Sequence, residues 1–158
     1  MPTIKLISIG KTDNKNLQVL IEDYKKRLSH YIRFELDIIP DLKKVKHLSE
    51  AQQKEKEGEL ILSKTQNSDV IILLDENGKQ MDSVAFSNYL QKHLNSGIKT
   101  IVFVIGGPYG FSEAVYKRAN GKLGLSKMTF SHQMIRLFFV EQLYRGFTIL
   151  KNEPYHHR

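Results

Sequence analysis

Two unbroken apolar runs, Val70-Ile71-Ile72-Leu73-Leu74 and Ile101-Val102-Phe103-Val104-Ile105, constrain this chain more than anything else in it. A strand with one wet face alternates apolar and polar residues, so a strand that is apolar throughout must be covered on both faces. Two such strands require a sheet held between two layers of helices. The sheet that supplies this is mainly parallel, with crossover helices on both faces. Neither run approaches the roughly 20 apolar residues of a membrane span.

The remaining segments fit this plan. Thr3-Ile4-Lys5-Leu6-Ile7-Ser8-Ile9 is rich in strand formers and ends at Gly10. Leu17, Leu20, Ile21, Tyr24 and Leu28 recur at helical spacing behind a cap at Asn14 or Asn16. Phe34-Glu35-Leu36-Asp37-Ile38 alternates like a half-buried strand, and residues 41–47 are a basic loop. Ser49 opens a charged helix whose first two turns are almost wholly polar, which predicts a solvated face or a contact outside the core. Asn77-Gly78 predicts a tight turn. Asp82 or Ser83 caps a third helix, Ser112 a fourth, and His132 or Gln133 opens the last. Residues 123–126 read as a short strand or extended loop. The last helix is apolar on more than one face, because Phe138, Phe139 and Val140 point in different directions around it. In a chain of 158 residues that surplus favours a subunit interface. Strands and helices alternate five times with no repeat or linker, so one domain over residues 1–158 is expected.

Composition narrows the chemistry. The absence of cysteine excludes disulfides, thiolate metal sites and thiol nucleophiles. No secretory pattern opens the chain, so a cytoplasmic protein is expected. The net charge of +7 is uneven: residues 116–158 carry eight Lys and Arg against only Glu141 and Glu153. A polyanion such as RNA suits that end. No metal is expected, because His156 and His157 are adjacent and no H-E-x-x-H pattern occurs. No G-x-S-x-G elbow occurs either, which leaves Ser126 and Ser131 as turn and cap residues.

Ligands of open α/β sheets bind at the carboxyl ends of strands. Three segments share that address: Leu74-Asp75-Glu76-Asn77-Gly78, Gly106-Gly107-Pro108-Tyr109-Gly110 and Leu125-Ser126-Lys127-Met128-Thr129-Phe130. The glycine segment is neither a dinucleotide fingerprint nor a Walker loop, but paired glycines let a backbone approach a ligand closely.

Those last two segments continue into longer motifs. Phe103-Val104-Ile105-Gly106-Gly107-Pro108-Tyr109-Gly110, Leu125-Ser126-Lys127-Met128-Thr129-Phe130-Ser131-His132-Gln133-Met134-Ile135-Arg136, Glu141-Gln142-Leu143-Tyr144-Arg145 and Pro154-Tyr155-His156 together closely resemble one family. It is the family of small SPOUT-class (α/β-knot) methyltransferases that modify a pseudouridine of large-subunit ribosomal RNA, the RlmH family. The resemblance extends to Ile7-Ser8-Ile9-Gly10-Lys11 and Lys54-Glu55-Lys56-Glu57-Gly58 and covers the whole chain. It implies a C-terminal trefoil knot, an exception to the rule against knotted chains. It also implies a homodimer and S-adenosylmethionine held by Leu74, Gly106 and the run from Leu125 to Phe130, beside Gly107. The implied product is N3-methylpseudouridine in the helix 69 loop of 23S rRNA, made on the assembled 70S ribosome.

Transfer from a sulfonium donor asks for in-line positioning and removal of the N3 proton. His132 and His156 are candidate bases, since imidazole titrates near neutrality. Arg136 and Arg145 are candidates to hold phosphate or stabilise the deprotonated base, and Tyr155 to stack on a base. Plainer roles stand beside these: His132 as a helix cap, Arg145 paired with Glu141, and Tyr155 in an interface. The runner-up function is a ribosome-binding protein with a vestigial cofactor pocket.

Overall fold

The computed structural model describes residues 2–43 and 45–157; Met1, Lys44 of the basic loop and Arg158 of the basic tail lie outside them. Five strands form one sheet in the order β2-β1-β4-β3-β5. They are β1 (Thr3–Ile9), β2 (Arg33–Ile39), β3 (Val70–Gln80), β4 (Thr100–Ile105) and β5 (Gly121–Gly124). Every neighbouring pair is parallel. The helices are α1 (Lys15–Leu28), α2 (Glu50–Ser63), α3 (Ser83–Leu94), α4 (Glu113–Arg118) and α5 (Met134–Leu150), with a single 3-10 turn at Val45–His47.

The two apolar runs are β3 and β4, and each is buried on both faces. Ile101, Phe103 and Ile105 join Ile4, Leu6 and Ile72 under α1, α3 and α5. Val102 and Val104 join Ile7, Ile9, Ile71 and Leu73 on the other face, with Ile61 of α2 and Val115 of α4. Each fully buried side chain of this kind contributes roughly 1.5–3 kcal/mol. Helix starts follow local chemistry: Asn14, Ser49, Asp82 and Ser112 each accept bonds from first-turn N–H groups. Ser49 and Gln52 complete a reciprocal capping box. At α5 Gln133 holds the N-cap position, as one of the two expected residues, but without a side-chain cap bond; the Met134 N–H donates instead to Ser131 Oγ at 3.0 Å.

One expectation is corrected. Asn77-Gly78 is not a tight turn. β3 runs on through it with a register shift between Leu74 and Lys79, because β5 pairs along both halves. A Cβ on Gly78 would stand 2.6 Å from the Leu123 backbone, and one on Gly124 would stand 2.9 Å from the Gly78 carbonyl oxygen. The glycines serve close strand approach rather than chain reversal.

β3 separates β4 from β5 and all three are parallel, so residues 106–120 pass back over β3, with Val115 of α4 packed on the face of Ile71 and Leu73. From β5 at the sheet edge the chain returns to α5, which lies against α1 and α3. This course is consistent with the expected C-terminal knot. No helix among the described residues is long and apolar enough to cross a membrane.

Candidate active site

The carboxyl ends of β3, β4 and β5 open into a cavity of about 420 Å³, within the size range of cofactor sites. Leu74 with Asp75, Glu76 and Asn77 forms one wall, and the segment from Ile105 to Phe111 forms the second. The third comprises Leu123, Leu125, Ser126, Met128, Thr129 and Phe130, with His132 and Ile135 beyond. Of the nine residues expected to hold a cofactor, Leu74, Gly106, Gly107, Leu125, Ser126, Met128, Thr129 and Phe130 line this space, and Lys127 does not. The Ser126 Oγ accepts from the Met128 N–H at 3.0 Å, which curls the third wall locally. Met128 lines the cavity yet is 77% exposed.

Apolar side chains from all three walls suit a flat heterocycle, and Asp75 and Glu76 suit hydroxyl or cationic groups. The residues present therefore fit a nucleoside with a charged side chain. Tyr116 of α4 also lines the cavity and donates its phenol proton to Asp75 Oδ2. Burial, aided by that carboxylate, pushes the phenol up to about 12. No motif marked Tyr116. Its position four residues after the Ser112 cap, on the helix following the glycine loop, is the available signal.

His132 stands on the cavity rim. The segment that carries it is tied to the loop after β1: Asp13 N–H donates to Gln133 Oε1 at 3.0 Å, and Gln133 Nε2 donates to the Lys11 carbonyl at 3.2 Å. Arg136 completes the clasp from inside. It is 1% exposed and does not line the cavity. Its Nε donates to the His132 carbonyl at 3.1 Å, Nη1 to Thr12 Oγ1 at 3.0 Å and Nη2 to the Ile9 carbonyl at 2.8 Å. Burial pulls this guanidinium below its ordinary value, against the opposing pull of Asp41 and Asp13.

Arg145, Tyr155 and His156 form a separate cluster. Arg145 donates to Glu141 Oε1 through Nη2 at 2.6 Å and Nε at 3.1 Å, and its Nη1 lies 3.0 Å from His156 Nδ1. The guanidinium also lies 4.9 Å from the centre of the Tyr155 ring. The Tyr155 hydroxyl reaches Glu141 Oε1 and the Tyr24 hydroxyl, each at 3.0 Å. The Glu141 hydrogen bonds raise the Arg145 pKa; burial, then Tyr24 and Glu141, raises that of Tyr155. Arg145 lies eleven residues along α5 from Met134, roughly 16 Å at helical rise. A second cavity of about 380 Å³ shares Leu123, Leu125 and Phe130 with the first and is bounded by Phe138, Glu141 and Gln142 of α5. Among the described residues, no group of three or more His, Asp or Glu side chains converges as a metal set.

The family model described as predicted SPOUT methyltransferase matches residues 2–156. A protein of Flavobacterium johnsoniae is 74% identical over 155 residues, spanning 98% of this chain and 99% of its own length. One of Flavobacterium psychrophilum is 76% identical over the same shares, and one of Parabacteroides distasonis is 64% identical over 98% of each chain. All three bear the name ribosomal RNA large subunit methyltransferase H. With its parallel sheet and strand-end cavity, the chain belongs to the SPOUT methyltransferases and, within them, to the RlmH family.

Proposed function

We propose that the protein methylates N3 of a pseudouridine in the helix 69 loop of 23S rRNA, using S-adenosylmethionine, as a cytoplasmic homodimer acting on the assembled 70S ribosome. The observation that carries this reading is the convergence of three strand-end segments on one cavity with His132 at its rim. The relatives' names and the basic last third of the chain support an RNA substrate.

When bound, S-adenosylmethionine supplies a methyl group made electrophilic by its sulfonium. Leu74, Gly106, Gly107, Leu125, Ser126, Met128, Thr129 and Phe130 would hold it. His132 takes the N3 proton, and Arg136 keeps His132 in place through its carbonyl. The tail cluster is too far along α5 to act beside His132 of its own protomer. Phe138, 38% exposed, and Met134, also exposed, give α5 an apolar outer strip that suits a second copy. Such a dimer brings Arg145, Tyr155 and His156 of one protomer to the donor cavity of the other, where they hold phosphate and stack on the target. The knot threads the third wall of the cavity and keeps it rigid.

The test is incubation with methyl-labelled S-adenosylmethionine and 70S ribosomes lacking the modification, followed by nuclease digestion and mass spectrometry. Label on N3 of a helix 69 pseudouridine is expected. Ribosome binding without label would replace this reading with a binding protein that has lost cofactor use.

A further inference from the structure

Behind the glycine loop lies a carboxyl group that none of these roles uses. Glu57 sits in the second half of α2 and is 4% exposed. Gln53, one turn earlier, donates Nε2 to Glu57 Oε2 at 3.3 Å, and Oε1 has no hydrogen-bond partner among the described residues. A Cβ on Gly107 would stand 2.7 Å from Oε2 and nearer still to Oε1. The carboxyl group thus rests against the α-carbon of a residue that also lines the donor cavity. Burial raises the Glu57 pKa; the Gln53 hydrogen bond opposes it, Asp41 adds to it and His132 opposes it least. A buried carboxylate with an idle oxygen is costly unless a cation compensates it.

We propose that Glu57 is a specificity-determining residue for the charge on the donor's sulfur: across the single backbone layer of Gly107, its carboxylate favours a sulfonium ligand over the neutral thioether left after transfer. The inference rests on the donor-cavity reading above. In the transfer, the carbon–sulfur bond breaks with its electron pair remaining on sulfur. The N3 pair, freed when the N3 proton passes to the base, forms the new carbon–nitrogen bond. The formal positive charge at sulfur is therefore present before the step and gone after it. A carboxylate in a water-poor wall acts on that difference far more strongly than one in solvent. It draws the donor in and loosens the product. Glycine at position 107 leaves the carboxyl group its place against the loop.

The experiment is calorimetric titration of the full chain with S-adenosylmethionine and S-adenosylhomocysteine, which differ only in the methyl group and its charge. Glu57→Gln keeps the shape and removes the charge, and Glu57→Met keeps the length with no oxygen. In either variant the donor is expected to weaken about tenfold, with the product within twofold and the melting temperature unchanged or higher. A merely structural role predicts a lower melting temperature and equal weakening of both ligands. An unchanged donor-to-product affinity ratio in a folded variant overturns the inference. A wild-type protein that binds neither ligand overturns the donor-cavity reading and the inference with it.

Discussion

Arg136 and Arg145 sit on the same helix, are the same residue type, and are equally suited by sequence to hold a phosphate. The structure uses them in opposite ways. Arg136 is enclosed, and its three bonds go to neutral acceptors, two of them backbone carbonyls. Arg145 is partly open, and its partners are a carboxylate, an imidazole and an aromatic face. The first arrangement cannot be exchanged without leaving buried acceptors unmet. The second is partly exposed, and its Glu141 partner borders the second cavity. One end of α5 therefore braces the segment beside the cavity, and the other presents a partly exposed cluster of charged and aromatic groups.

The largest test of that contrast is Arg136→Met. Losing the guanidinium leaves the Ile9 and His132 carbonyls and the Thr12 hydroxyl without their donor. The expected loss is about 3–5 kcal/mol of stability in urea unfolding. Arg136→Lys should recover little, because one ammonium cannot reproduce a fork of three donors. If Arg136→Met unfolds like wild type while methyl transfer disappears, the residue is chemical rather than architectural and the contrast is broken.

Arg145→Ala should behave in the reverse manner. A partly exposed pair contributes about 1 kcal/mol or less to stability, whereas loss of a preorganised anion holder costs about 10²–10³ in turnover. Complementation sharpens this further. Arg145→Ala and His132→Ala subunits, each inactive, should regain activity when mixed and allowed to exchange, because a heterodimer has one site with both residues intact. No recovery at any mixing ratio would place both residues in the site of a single protomer.

How much of this was legible beforehand follows the same division. Two apolar runs were enough for a parallel sheet with helices on both faces, since burial on both sides leaves no other economical cover. The cavity walls were legible because ligand sites recur at strand carboxyl ends, and eight of nine expected residues line the space. The different fates of Arg136 and Arg145 were not, because a lone guanidinium looks the same in sequence whether its acceptors are carbonyls of a distant loop or a neighbouring carboxylate. Glu57 was hidden for a related reason. A charged run on a helix reads as solvated, and its burial depends on Gly107, fifty residues away. Asn77-Gly78 misled because the dipeptide that makes turns also permits strand backbones to touch.

A smaller effect probes the cavity end. Gly107→Ala places a methyl group where the Glu57 carboxyl lies. Overpacking of this kind costs about 1–3 kcal/mol, and donor affinity should fall about tenfold. The double variant Gly107→Ala with Glu57→Ala should recover stability by about 0.5–3 kcal/mol relative to the sum of the single changes. Strict additivity would show that loop and carboxyl group are not in contact.

The smallest effect compares tyrosines at the two ends. Tyr116 at the cavity and Tyr155 in the tail cluster both hold their protons more tightly than free tyrosine, each through burial first, then through the Asp75 carboxylate for Tyr116 and through the Tyr24 hydroxyl and Glu141 for Tyr155. For an acid whose folded pKa is raised, the stabilisation is complete below the unfolded value, near 10, and is lost as pH rises through the folded value. For Tyr116 that window runs from about 10 to about 12. Tyr116→Phe should therefore flatten part of the decline in stability across that interval and leave stability at neutral pH nearly unchanged, as urea midpoints at a series of pH values would show. Because the ring is partly exposed, the change is small. A decline identical to wild type would mean that the Tyr116–Asp75 bond does not persist in solution, and that this side of the cavity is ordered only when a ligand fills it.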